Sequence, residues 1–178
     1  MFLRNHCVKD EEMKKYLCLF FLCTCLSIWG EQSLDAGVKL SPRGDLGPHI
    51  NLTIAPKINP YVMLISEFGG IKIYYGIEIK PFILEQQLLA KAGFGYKFNL
   101  SDNFYIEPVI TGYYGVLSKK DSTKFYTVAG GDLGLKGNLL LQENIWINIS
   151  IGIGYEATRA YTKSALTLPL NIGIEYKL

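Results

Sequence analysis

A chain of 178 residues has room for a single domain. Its formal net charge of +2 and the lack of any basic-aromatic patch argue against nucleic acid as a partner. All four cysteines (Cys7, Cys18, Cys23 and Cys25) lie near the N-terminus, so the rest of the chain can hold neither a disulfide framework nor a Cys-type metal site, and no cofactor is expected.

Residues 1–30 read as an export signal. Lys14-Lys15 is followed by the short apolar run Tyr16 to Leu26, with cleavage expected after Gly30 and Ile28 at the minus-three position. Met13 is the better start, because Asp10, Glu11 and Glu12 are unusual in the charged segment of a signal. The apolar run is too short for a membrane-spanning anchor. Leu22-Cys23-Thr24-Cys25 resembles a lipobox loosely, which leaves lipid attachment at Cys23 or Cys25 open.

From residue 34 onward apolar and polar residues alternate. Leu34, Ala36, Val38 and Leu40 interleave with Asp35, Gly37, Lys39 and Ser41. The same period of two runs through Ile71 to Ile79, Ile145 to Ile153 and Leu166 to Leu178. It means strands with one apolar and one polar face. Segments of roughly ten residues with this pattern are the signature of a transmembrane β-barrel, whereas soluble sandwich strands are typically five or six residues long. Short breaks at Gly69-Gly70, at 100–103 and at 142–144 alternate with longer ones at 41–48, 81–87, 117–124 and 156–163. The reading is an all-β, eight-stranded antiparallel barrel over residues 31–178. Its strands lie near 33–41, 49–68, 71–80, 88–98, 104–116, 125–141, 145–155 and 164–178. In the second of these, Pro56 and Pro60 cannot donate to a ladder. A turn at Asn59-Pro60 would raise the count to nine and require one further break.

Charges within the strands keep the phase opposite to the apolar set. Asp35, Glu67, Glu78, Glu107, Asp132, Glu156 and Glu175 face Lys39, Lys57, Lys72, Lys80, Lys91, Lys97, Lys136 and Lys177. Inside a narrow barrel so near a balance implies a network of ion pairs that fills the lumen. The outward set includes Tyr75, Tyr96, Phe98, Phe104, Tyr114, Phe125, Tyr155 and Tyr176, mostly near strand ends, where an aromatic girdle belongs.

The last eight residues, Asn171-Ile172-Gly173-Ile174-Glu175-Tyr176-Lys177-Leu178, look like the C-terminal signal that outer-membrane barrels present to their assembly machinery. Asn171, Gly173, Tyr176 and Leu178 fill its four defined positions, with Leu178 where Phe is commoner. With the strand count, the chain resembles the OmpX/OmpA-like family of small barrels; Leu34 to Leu40 is similar to that family's first strand, and Asn59-Pro60-Tyr61-Val62 to a motif of its early turns. Short turns inside and long loops outside put both termini in the periplasm, and the resemblance implies an outer-membrane scaffold in contact with membrane lipid. Its outer loops would bind host proteins or glycans, as in adhesion or capture of complement regulators.

No catalytic arrangement is evident. The only histidines are His6, which falls within the export signal, and His49, which has no Ser within two residues, so a lipid-modifying enzyme is the least favoured alternative. A structural barrel or narrow pore, and a soluble periplasmic barrel, are the others. Three loops carry surface candidates. Arg43-Gly44-Asp45 resembles an integrin-recognition tripeptide, although three residues match by chance often and Gly suits a tight turn. Lys119, Lys120, Lys124, Arg159 and Lys163 make a mildly basic rim suited to anionic sugars or acidic protein patches.

Overall fold

The computed structural model describes residues 30–40, 43–45, 51–53, 58–81, 85–119, 124–158 and 163–178. The expected export signal therefore lies outside the described residues except for Gly30, and so does His49.

The alternating segments form eight staves. They are β1 (Glu31–Leu40) continued by β2 (Arg43–Asp45), β3 (Asn51–Thr53) leading into β4 (Ile58–Phe68), and β5 (Ile71–Pro81). Next come β6 (Glu85–Tyr96) continued by β7 (Phe98–Ser101), β8 (Phe104–Lys119), β9 (Phe125–Gln142) and β10 (Ile145–Thr158). The last stave is β11 (Lys163–Thr167) with β12 (Leu170–Lys177). All pairings are antiparallel, and β12 closes the ring by pairing with both β10 and β1. The register can be followed once round, from Leu34 through Leu64, Tyr75, Ala92, Gly112, Gly131, Tyr155 and Leu166. It returns to the first stave at Gly44, ten residues beyond its start. Such a stagger tilts the strands and closes the cylinder.

Among the described residues the short turns all lie at the end that carries Glu31 and Leu178, the terminal end of the barrel. Gly69 and Gly70 have φ of 56° and 87°, the left-handed pair that a two-residue hairpin of type I′ requires. The longer connections lie at the opposite end and are shorter than expected, because β6 begins at Glu85, β8 runs to Lys119 and β10 to Thr158.

Asn59-Pro60 is not a turn. Both residues lie within β4, where Asn59 pairs with Lys39 and Pro60 with Val38. On the β5 side the ladder begins at Tyr61 opposite Glu78, so Pro60 stands at the end of that ladder, where a residue without an N–H is tolerated. The second stave is still irregular. Leu40 pairs with Ile58, but Arg43 pairs with Thr53, so the register differs by two between β1–β4 and β2–β3.

The faces segregate as the alternation requires. Leu34, Ile110, Ile151 and Ile174 stand exposed on the outside, while Lys72, Glu78 and Glu107 inside have no exposure at all. A soluble monomer rarely exposes an apolar surface beyond a few hundred Å², so a wall of this extent faces hydrocarbon. Exposed Tyr96, Phe98 and Tyr176 lie toward the terminus-bearing end, with Phe125 and Tyr155 toward the other. Tyr75, in contrast, pairs with Leu64 and Ala92 well inside its stave.

Candidate functional site

The interior is filled by two charged clusters. In the half nearer the termini, Glu175 accepts bonds from Lys72 at 2.8 Å, Ser33 at 2.9 Å, Tyr105 at 3.3 Å and Lys136 at 3.4 Å. Lys136 also holds Asp35 at 2.8 Å, and Asn148 donates to the same carboxylate at 3.0 Å. Tyr74 donates to Glu107, whose carboxylate lies 3.8 Å from Lys72. Beneath them Lys97 reaches Glu67 at 3.4 Å and lies over the Tyr105 ring, which meets Trp146 edge-on at 4.9 Å. Each charge is thus taken out of water only with several partners, the condition under which a buried ion is tolerable.

The half nearer the long connections is simpler. Lys39 bonds Asp132 at 2.5 Å and Lys91 bonds Glu78 at 2.9 Å. The crossed pairs, Lys39 with Glu78 and Lys91 with Asp132, are 3.8 and 3.9 Å apart. Buried Leu89, Tyr113, Leu117 and Val128 pack above this square as an apolar lid. Between the halves lies a cavity of about 70 Å³. Ordinary ligand pockets run to roughly 300–1,000 Å³, so this cavity is too small for one.

All nine residues proposed as a lumen network (Lys39, Glu67, Lys72, Glu78, Lys91, Glu107, Asp132, Lys136 and Glu175) do come together inside. Glu156 is buried as well. Lys177 pairs with exposed Glu31 at 3.0 Å, at the terminus-bearing end. The side chains of Lys57 and Lys80 lie outside the described residues. Sequence reasoning missed the neutral half of the network: Ser33, Asn59, Tyr61, Tyr74, Tyr105 and Asn148. All six share the parity of the charges within their strands, and that was the available signal.

No family model and no curated protein sequence matches the chain. Solved structures do. Neisserial surface protein A is 12% identical, with 83% of this chain and 97% of that one covered and a TM-score of 0.61. Ail, the attachment invasion locus protein of Yersinia pestis, is 12% identical over 84% and 99%, with a TM-score of 0.55. The N-terminal β-barrel domain of Pseudomonas aeruginosa OprF is 10% identical over 83% and 99%, with a TM-score of 0.50.

The fold is that of the small outer-membrane barrels.

In this barrel each position of the C-terminal pattern has a definite place. Asn171 faces inward and donates to Ser150 at 2.5 Å. At Gly173 a side chain would strike the Tyr61 hydroxyl and come within 2.8 Å of Asp35. Tyr176 and Leu178 stand exposed on the outer wall.

The surface candidates fare differently. Arg43-Gly44-Asp45 does not form a loop turn: it is β2, with its backbone paired to β11 on one side and β3 on the other. Gly44 sits opposite Leu166 and Leu52 in extended chain. The expectation of a tight turn there is corrected, because the first stave continues past Leu40 to meet β11. Lys119 ends β8, Lys124 precedes β9 and is exposed, and Lys163 begins β11, so all three belong to the rim away from the termini. Lys120 and Arg159 lie outside the described residues.

Proposed function

We propose that this barrel sits in a bacterial outer membrane with both termini in the periplasm and works as a non-catalytic surface-binding protein. The connections at its far end would do the binding. The filled lumen carries this reading. With the interior occupied by paired charges and capped by Leu89, Leu117 and Val128, the surface left to meet a ligand is the outer rim. Lys119, Lys124 and Lys163 on that rim favour anionic sugars or acidic protein patches of a host. The assembly machinery would read residues 171–178, and membrane lipid would cover the wall.

Two measurements test it. Cells displaying the barrel are expected to bind sulfated-dextran beads, and serine at Lys119, Lys120, Lys124, Arg159 and Lys163 together is expected to weaken binding roughly tenfold. Equal binding by both would end the basic-rim reading. Purified barrel in a planar bilayer is expected to show no steady conductance; a stable open level would favour a narrow pore instead.

A further inference from the structure

The outer wall is not uniformly covered. Where β8, β9 and β10 run side by side, a groove of about 410 Å³ opens on the lipid-facing side. Its walls are Ile110, Leu133, Ile153 and Tyr155, with Leu166 at one edge, and Gly112 and Gly131 form part of its base. These two glycines are paired across β8 and β9, so two adjacent outward positions lack a side chain.

The inward glycines nearby have an intramolecular reason. A side chain at Gly130 would collide with the Tyr113 ring, and one at Gly154 with Asp132 and Thr167. Gly112 has none. A Cβ there would meet nothing closer than the Gly130 carbonyl at 3.9 Å, and φ is not left-handed. Glycine inside a strand weakens it and often marks a close approach by something else.

We propose that this groove is a binding site for one acyl chain of a membrane phospholipid. The occupant follows from where the groove lies. It is continuous with an apolar wall that hydrocarbon covers, and Ile110, Leu133, Ile153 and Leu166 are each about half exposed along it. It also has a polar end. The Tyr155 hydroxyl donates to Ser164 at 2.6 Å at the surface, the amphipathic arrangement found at the level of lipid headgroups. A chain lying between Ile110 and Tyr155 would keep its carboxyl ester near that pair while its methylenes fill the space left by the glycines. Burying methylenes against a preformed apolar surface is favourable without any polar contact.

The test is native mass spectrometry of the full chain released from detergent micelles doped with palmitoyl-oleoyl phosphatidylethanolamine. One lipid per barrel is expected to survive release. Gly112→Leu fills the groove from its base and is expected to reduce retention at least fivefold, while Val62→Leu on a distant part of the wall leaves it unchanged. Ile153→Trp narrows the same groove without touching a glycine and covers the case in which Gly112→Leu fails to fold. Retention unchanged in both groove variants overturns the proposal. So does a shift from dimer to monomer in those variants with lipid retention unaltered, which would assign the groove to a second copy of the chain.

Discussion

The two halves of the lumen solve the same problem with different redundancy. Toward the termini, the Glu175 carboxylate has four donors from four staves, and Lys136 and Lys72 each reach a second acid. Toward the long connections, two lysines and two acids form a square with few neutral helpers. The first cluster ties the closing strand β12 to β1, β5, β8 and β9. The second is a compact plug under an apolar lid. Removing a charge therefore has unequal consequences: loss of Glu175 takes a close partner from two lysines at once, leaving Lys136 on Asp35 and Lys72 at 3.8 Å from Glu107, while in the second cluster the remaining lysine still touches both acids.

The largest effect is expected at Glu175. Glu175→Gln removes the shared negative charge from Lys72 and Lys136, and breaking a buried pair in this way costs roughly 3–5 kcal/mol. Urea unfolding in lipid vesicles would measure it; an unchanged midpoint would mean that the pairs add nothing. Lys91→Met is expected to cost less than Glu175→Gln, because Lys39 lies at 2.5 Å from Asp132 and 3.8 Å from Glu78 and holds both. If the second loss equals or exceeds the first, the proposed redundancy of the square is wrong. The smallest effect belongs to Lys177→Ala. Its partner Glu31 is 71% exposed, and surface pairs contribute about 0–1 kcal/mol, a difference that added salt should erase.

Much of this was legible in the chain. Period two from Leu34 to Leu178 assigned each charge to a face, and Gly69-Gly70 announced its hairpin. Less was legible at the second stave. Pro56 and Pro60 signal a break by the usual rules, yet Pro60 stays in β4, paired with Val38 and standing at the end of the ladder with β5. Arg43-Gly44-Asp45 looked like a turn because local preferences favour one, but pairing with β11 extends the strand through it. The apolar residues inside (Met63, Ile65, Leu89, Leu117 and Val128) carry the parity of the polar face, so alternation by polarity alone could not announce them.

By itself the sequence determined the strand period, the two faces and the near-balance of charge inside, because a strand of period two sends alternate residues to opposite sides whatever its neighbours are. Only the tertiary structure decided which acid meets which base, how far each strand extends, and where two glycines leave the wall bare. Those features depend on the stagger that carries the first stave ten residues along on closing the ring. A stagger belongs to pairs of strands, and no single segment encodes it.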